Sequence, residues 1–376
     1  MLKPGKHLVL GNIACAEGAL RAGCCLFAGY PITPANEITE YMSGELPKTG
    51  GYFLQMEDEI ASIAACIGGS WAGAKAMTAT SGPGFSLMQE NLSYAHMTET
   101  PLVVVDVQRS GPSTGQSTDA SQQDFYQARY GAHGDYEVIA LSPWSAQEMF
   151  NLTVRAFNLA EQYRTPVYFL ADGMIGHIRE ELVVPENVEV IDRKAPSGPN
   201  VTPFGTDDLS LVPEMPKFGQ GYRLQVTGSS HRPNGVRDYS PNIHSEQVMR
   251  MMKKIAQAEP TIRDVAKVDL DDAKVAVVSF GASARPSYGA VKKLREEGVK
   301  AGLLRLKTLW PLPEEEFIKL VNKVDAILVV EMNAGKLVRE VQRVACRDTK
   351  IASLTRLGGV TPTQGDIVQE IRRLTQ

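Results

Sequence analysis

The chain has 376 residues, enough for two or three domains. Apolar residues make up 43% and charged residues 22%, the balance of an ordinary globular protein. The net charge of −4 excludes a global basic field for nucleic acid, and no uninterrupted apolar run approaches the roughly 20 residues of a membrane span. The opening "MLKPGKHLVLGNIACAEGAL" has two lysines but no long apolar core, so it does not read as a secretory signal. The expected compartment is the cytoplasm.

In chain order, the first distinctive stretch is "FAGYPITPANE" (27–37). Pro31 and Pro34 fix their own φ and push Tyr30 and Thr33 toward extended backbone, leaving the Thr33 hydroxyl on stiff chain. Residue types alone leave two readings open, a ligand site or a strand-to-helix turn with Thr33 near an N-cap. Next, "EDEIASIAACIGGSWAG" carries apolar residues at helical spacing behind three acids. Glu57 and Asp58 fit as partners of the helix dipole. Glu59 leads into a face of small residues and is the acid expected to point inward, where a carboxylate needs a partner or a task.

"AKAMTAT" (74–80), "PLVVVDVQ" (101–108) and "TPVYFLAD" (165–172) read as strands buried on both faces of a helix-covered parallel sheet. "TSGPG" (80–84) joins the first of these to the helix "FSLMQENLSYAHM". Ser81 and Gly82 thus lie at a helix N-terminus, which can hold an anion. Arg109 follows the second strand, in the Gly/Ser/Thr-rich loop "VQRSGPSTGQST". That is where open α/β sheets bind ligands, and arginine is the natural fork for a carboxylate. His133 and Asp135 in "GAHGDYE" have no neighbouring ligand pattern and read as structural or interface residues. "SAQEMFNLTVRAFNLAEQYR" is a further helix.

From about 180 to 269 the texture turns to proline, glycine and polar residues, then a basic helical "HSEQVMRMMKKIAQ". This reads as a linker with an excursion. Beyond it, strands "AKVAVVSFG", "VKAGLLRLK", "DAILVVEMN" and "KIASLTR" alternate with helices "SARPSYGAVKKLREEG", "PEEEFIKLVNKV" and "GKLVREVQRVACR". This pattern suits a small parallel sheet with right-handed crossovers. The expected organisation is an α/β domain over 1–180, a linker over 181–269 and a second α/β domain over 270–376. The five cysteines, Cys15, Cys24, Cys25, Cys66 and Cys346, form no CxxC pair and no iron–sulfur spacing, so they read as reduced thiols. The phosphate loop GxxxxGK[ST] and the dinucleotide fingerprint GxGxxG are both missing.

Together, "GYPITP", "QMEDEIASIAACIGG", "TSGPGFSLMQENLSYA", "VQRSGPSTGQST", "ARYGAHGDYE", "LKTLWPLPEEE" and "EMNAGKLVREV" resemble the α subunit of 2-oxoacid:ferredoxin oxidoreductases over nearly the whole chain. "GPSTG" and "HGD" favour the 2-oxoglutarate branch; the branched-chain 2-oxoacid branch shares "GYPITP" and is the nearest rival. The resemblance implies a pyrimidine-type thiamine diphosphate-binding domain followed by a transketolase C-terminal-like domain. It implies conversion of a 2-oxoacid, coenzyme A and oxidised ferredoxin to acyl-CoA, CO2 and reduced ferredoxin, or the reverse carboxylation. It places Glu59 as the activating glutamate of the aminopyrimidine, Thr33 and Arg109 at the substrate carboxylate, and Tyr30, Pro31, Ser81 and Gly82 beside the cofactor.

No "GDG" segment for diphosphate and Mg2+ occurs; "ADGM" (171–174) lacks the pattern. The resemblance therefore implies a β subunit carrying the diphosphate site, Mg2+ and a [4Fe-4S] cluster, in an (αβ)2 assembly. Any γ module is expected as a separate chain, because the α motifs begin almost at Met1, and a ferredoxin-like δ chain is a further expected partner. No metal site is expected on this chain. A non-redox thiamine-dependent 2-oxoacid decarboxylase subunit is a different class of reading, but the C-terminal α/β unit argues against it. A scaffold without catalysis is another, and the presence of Thr33, Glu59 and Arg109 argues against that.

Overall fold

The computed structural model describes residues 1–345 and 349–375. The N-terminal part runs β1 (Gly5–Leu10), α1 (Gly11–Arg21), β2 (Leu26–Gly29), α2 (Asn36–Glu45), β3 (Tyr52–Gln55), α3 (Glu59–Trp71), β4 (Ala76–Thr80) and α4 (Gly82–Met97). It continues with β5 (Leu102–Ser110), β6 (Gln116–Ala120), α5 (Phe125–Tyr130), β7 (Ile139–Leu141), α6 (Ala146–Tyr163), β8 (Pro166–Asp172), α7 (Gly173–His177) and β9 (Arg179–Val184). After an irregular stretch come α8 (Pro241–Ile262), β10 (Val265–Val268), β11 (Val275–Phe280), α9 (Ala284–Glu296), β12 (Ala301–Leu306) and β13 (Thr308–Trp310). The chain closes with α10 (Glu314–Val321), β14 (Ala326–Glu331), α11 (Lys336–Val344), β15 (Lys350–Thr355) and α12 (Gln364–Thr375).

The first sheet has the order β13-β7-β8-β5-β4-β2-β3, with β6 folded back antiparallel on β5. From β3 to β7 every pairing is parallel. As the apolar runs imply, β4, β5 and β8 are buried along their whole length. The second sheet has the order β10-β12-β11-β14-β15 and is parallel except for β10.

Three findings differ from the sequence reading. The strand carrying Arg109 does not stop at residue 108. It extends to Ser110 because β6 pairs back onto it, so Arg109 is a strand residue rather than a loop residue. The Thr33–Pro34 bond is cis, which the sequence did not show, and lies in a tight turn closed by Ala35 N–H donating to Ile32 C=O at 2.8 Å. Nor is the 181–269 region only a connection. It contributes β10 to the second sheet, and α8 is anchored from beneath by ions. Lys254 donates to Glu99 Oε2 at 2.7 Å and Arg250 at 3.0 Å, with Glu99 and Lys254 both buried. Burial alone would raise Glu99; Lys254 and Arg250 outweigh it and hold the carboxyl well below the usual carboxylate range.

Cys15, Cys24 and Cys66 are buried free thiols and Cys25 is half-buried; Cys346 lies outside the described residues. Burial pushes Cys15 and Cys66 up to about 12, so neither is a thiolate near neutral pH. No helix among the described residues is long and apolar enough to cross a membrane.

The two sheets are joined rather than tethered. β13 leaves the second unit to pair with β7 of the first. Trp310 on it packs in a tilted contact with Phe125 at 5.0 Å, and Phe125 meets Phe280 at 5.9 Å, so the apolar core is continuous across the junction. Gln122 closes the junction with its whole amide. Its Nε2 donates to Phe280 C=O at 2.8 Å, and its Oε1 accepts from Met332 N–H at 2.9 Å and from the Ser283 hydroxyl at 3.0 Å. Asp172 adds a second tie, accepting from Ala282 N–H at 2.7 Å. Replacing Gln122 by Ala strands these buried partners, which is expected to cost about 3 kcal/mol. Scanning calorimetry should then show a lowered melting temperature; an unchanged one would mean that Gln122 is redundant in the junction.

Candidate functional site

The sheet order puts β5, β4 and β2 side by side. Their C-terminal ends release three segments at one edge: Tyr30–Pro34 after β2, Ser81–Gly84 after β4, and Arg109 at the end of β5. Glu59 joins them as the first residue of α3. Asp58 caps that helix, its Oδ1 accepting from Ala61 N–H at 2.7 Å, which starts the helix at Glu59 and turns the Glu59 side chain inward.

Glu59 is 5% exposed. Burial is the largest influence on it and raises the carboxyl; Asp58 adds to this, while its own N–H and the Arg109 guanidinium oppose it. It lies over the first turn of α4 at Gly84, where no side chain fits. A Cβ there would fall 2.1 Å from Thr80 Oγ1 and 2.4 Å from Glu59 Oε1. The glycine in "TSGPG" that matters most is therefore the second one, which brings a helix turn against a carboxylate.

Arg109 is 8% exposed and its Nη1 donates to Thr33 C=O at 2.8 Å. Two residues singled out from sequence are thus bonded directly. Arg109 Nε–H is buried without a protein partner, and the Thr33 side chain is half-buried, with Asn36 Nδ2 3.4 Å from its Oγ1. Tyr30 and Pro31 are exposed on the same loop. Ser81 is fully buried and its hydroxyl donates to Val107 C=O at 2.8 Å, so it locks the turn to β5. Gly82 lines a cleft of about 550 Å3 together with Pro83, Arg109, Asp124, Lys336 and Leu357. This cleft lies between the first sheet and the second unit, as expected where two domains meet.

His133 and Asp135 are exposed and lie on the rim of a separate hollow of about 510 Å3 that also holds His96 and His244. None of Glu59, Thr33 and Arg109 lines that hollow.

Sequence reasoning missed several residues that build the site. Asn12 on α1 is fully buried and its Nδ2 donates to Pro34 C=O at 2.8 Å and to Glu37 Oε2 at 2.7 Å, which fixes the proline turn from below. Its signal was a lone amide inside the apolar helix "GNIACAEGAL". Asp106, the one charge in "VVVDV", was equally visible as an anomaly. Asp124 and Lys336 carry no such local signal, because only the fold brings them to the cleft.

Orphaned donors and a buried acid beside a glycine turn suit a cofactor that needs a carboxylate at its ring and a substrate that carries one. Residues 17–250 match the family model described as pyruvate flavodoxin/ferredoxin oxidoreductase, thiamine diphosphate-binding, and residues 273–367 match pyruvate:ferredoxin oxidoreductase core domain II. The chain is 50% identical to the 2-oxoglutarate synthase subunit KorA of Methanothermobacter thermautotrophicus, over 99% of each chain. It is 35% identical to the ketoisovalerate oxidoreductase subunit VorB of Methanothermobacter marburgensis, over 98% of this chain and 97% of that one. The solved 2-oxoglutarate:ferredoxin oxidoreductase from Magnetococcus marinus, with 2-oxoglutarate, coenzyme A and succinyl-CoA bound, superposes with a TM-score of 0.95 at 34% identity. The match covers 99% of this chain but only 66% of that one. On this evidence the chain belongs to the 2-oxoacid:ferredoxin oxidoreductase family, as a thiamine diphosphate-binding subunit of the α type.

Proposed function

We propose that this chain is the α subunit of a 2-oxoglutarate:ferredoxin oxidoreductase. The reaction is oxidative decarboxylation of 2-oxoglutarate with coenzyme A to succinyl-CoA and CO2, electrons passing to ferredoxin, or the reverse carboxylation. The observation that carries the choice of substrate is the gap between 50% identity to a 2-oxoglutarate synthase subunit and 35% to a ketoisovalerate subunit, each over nearly the whole of both chains.

The residues present fit thiamine diphosphate on its pyrimidine side. That cofactor, when bound, supplies the electron sink that decarboxylation of a 2-oxoacid requires. Glu59 holds a proton against the aminopyrimidine ring, a task suited to a carboxyl that burial has raised toward its neutral form. Gly84 leaves room for that carboxyl, and Tyr30, Pro31, Ser81 and Gly82 shape the surrounding wall. Arg109, on the cleft wall, receives the substrate's 2-oxo carboxylate through its guanidinium, with Thr33, whose C=O it already binds, beside it.

The partners proposed are a β subunit holding the diphosphate, Mg2+ and a [4Fe-4S] cluster, with γ and ferredoxin-like δ chains and ferredoxin as acceptor. The absence of a GDG segment and of cluster-spaced cysteines supports this division. Purified alone, the chain should not reduce viologen with any 2-oxoacid. Mixed with its β partner it should do so with 2-oxoglutarate in preference to 2-oxoisovalerate. Activity of the isolated chain, or preference for the branched substrate, would overturn the assignment.

Glu59→Gln is nearly isosteric but cannot transfer a proton. It should slow hydrogen–deuterium exchange at the thiazolium C2 by about 10²–10⁴-fold without loss of complex assembly. Exchange at the wild-type rate would reduce Glu59 to a helix-start acid. Arg109→Lys keeps the charge and loses the planar fork, so KM for the 2-oxoacid should rise with thiamine diphosphate affinity little changed. Equal damage to both would place Arg109 elsewhere in the mechanism.

A further inference from the structure

Asp106 lies in the middle of β5, fully buried, and neither of its carboxylate oxygens meets a donor. Asp124, in the turn before α5, lies against it within hydrogen-bonding reach and is 9% exposed. Asp124 Oδ2 is also without a donor; the Gln127 amide can reach only Oδ1, at 3.2 Å. Two bare carboxylates cannot be kept adjacent in such a place, whereas one proton held between them satisfies both. Burial is the largest influence on each and raises both, Asp106 well above the ordinary carboxylate range; the bond to Asp106 opposes the rise at Asp124. The cations that oppose it are Arg109, from the same strand, and Lys336, from α11 across the cleft.

The segment that carries Asp124 is fastened to the end of β5 residue by residue. The Ser121 hydroxyl donates to Arg109 C=O at 2.8 Å, Asp124 N–H donates to Gln108 Oε1 at 3.0 Å, and Gly111 N–H donates to Gln123 Oε1 at 2.7 Å. Lys336 Nζ donates to Gln123 C=O from the second unit. Asp124 Oδ2 also stands 3.3 Å from where a Cβ of Gly82 would be, so the pair backs the α4 turn as well.

We propose that Asp106 and Asp124 are positioning residues that share one proton, and that this shared proton clamps segment 121–124 onto β5 and thereby holds Arg109 toward the cleft. The functional consequence rests on the reading of Arg109 as the ligand of the 2-oxo carboxylate. Loss of the proton places two like charges in contact, opens the clamp and weakens substrate binding, so the alkaline limb belongs to KM rather than to kcat.

The test uses the assembled holoenzyme. Infrared difference spectra of wild type minus Asp106→Asn at neutral pH should contain the carbonyl stretch of a protonated carboxylic acid. In wild type, KM for 2-oxoglutarate should rise on the alkaline side while kcat changes less. Asp106→Asn supplies a permanent N–H donor to Asp124 and should flatten that rise. Asp106→Ala leaves Asp124 bare and should raise KM about tenfold or more, with the Asn variant recovering most of the loss. Absence of the acid band, or an Asp106→Asn enzyme with the wild-type alkaline limb, overturns the proposal. Should neither variant assemble, an infrared pH titration of wild type decides. Loss of the acid band over the pH range in which KM rises supports the shared proton, and loss over any other range refutes it. If Arg109→Lys leaves KM unchanged while the acid band is present, the role given to Arg109 fails and the proton pair stands.

Discussion

The site is organised around one buried guanidinium. Arg109 reaches the end of a strand that is buried on both faces, and a charge at that depth persists only where carbonyls and carboxylates surround it. Its Nη1 is spent on Thr33 C=O, which draws the proline turn over the sheet edge. Asn12 holds the same turn from the other side through Pro34 C=O. The stiffness of "GYPITP" is therefore shared between the prolines and two hydrogen bonds from distant elements. Strand order makes this possible, since β2 and β5 flank β4 and their ends open on the same edge.

That edge is finished by the second unit. Gln122 binds Phe280, Met332 and Ser283 at the junction, and the next residues along the chain, Gln123 and Asp124, face the cleft. The lock and one cleft wall are thus neighbours in sequence. Asn333 Nδ2 donates to Gln122 C=O, and the chain then turns at Gly335, whose φ of +79° suits glycine, to send Lys336 back to Gln123 C=O. Small shifts of the second unit would be felt by segment 121–124, and through it by Arg109.

The elements that depend on local pattern were legible in the sequence. Strands β4, β5 and β8, helices α3, α4 and α6, and the β/α alternation of the second unit followed from apolar periodicity. Glu59 was legible because a carboxylate ahead of a small-residue face has little choice of direction. What failed were features fixed by remote partners. The extension of β5 to Ser110 needs β6, and β10 needs the edge of β12. The Asp106–Asp124 contact was beyond sequence reasoning altogether, because seventeen residues of strand and loop lie between its members and nothing local marks Asp124. The family resemblance supplied roles for Thr33, Glu59 and Arg109, but it offered no sign of what holds them.

The proposed division of the active site between two chains has a physical counterpart in the surface around Glu59. The elements that frame it carry large apolar side chains turned to solvent: Tyr52 and Leu54 on β3, Ile60 on α3, Leu87 on α4 and Tyr30 in the proline turn. β3 is an edge strand, so its outer backbone groups are also unpaired within the sheet. Single exposed apolar residues need no explanation, but several on the elements that surround one buried acid do. On that proposal, a partner bringing the diphosphate side of the cofactor would approach from this direction, since Glu59 and its neighbours would supply the pyrimidine side. Covering these side chains would exclude water from the carboxylate, strengthen its contact with the ring and raise its pKa further. Subunit assembly and activation of the acid would then be one event, which gives a physical reason for splitting the site between chains.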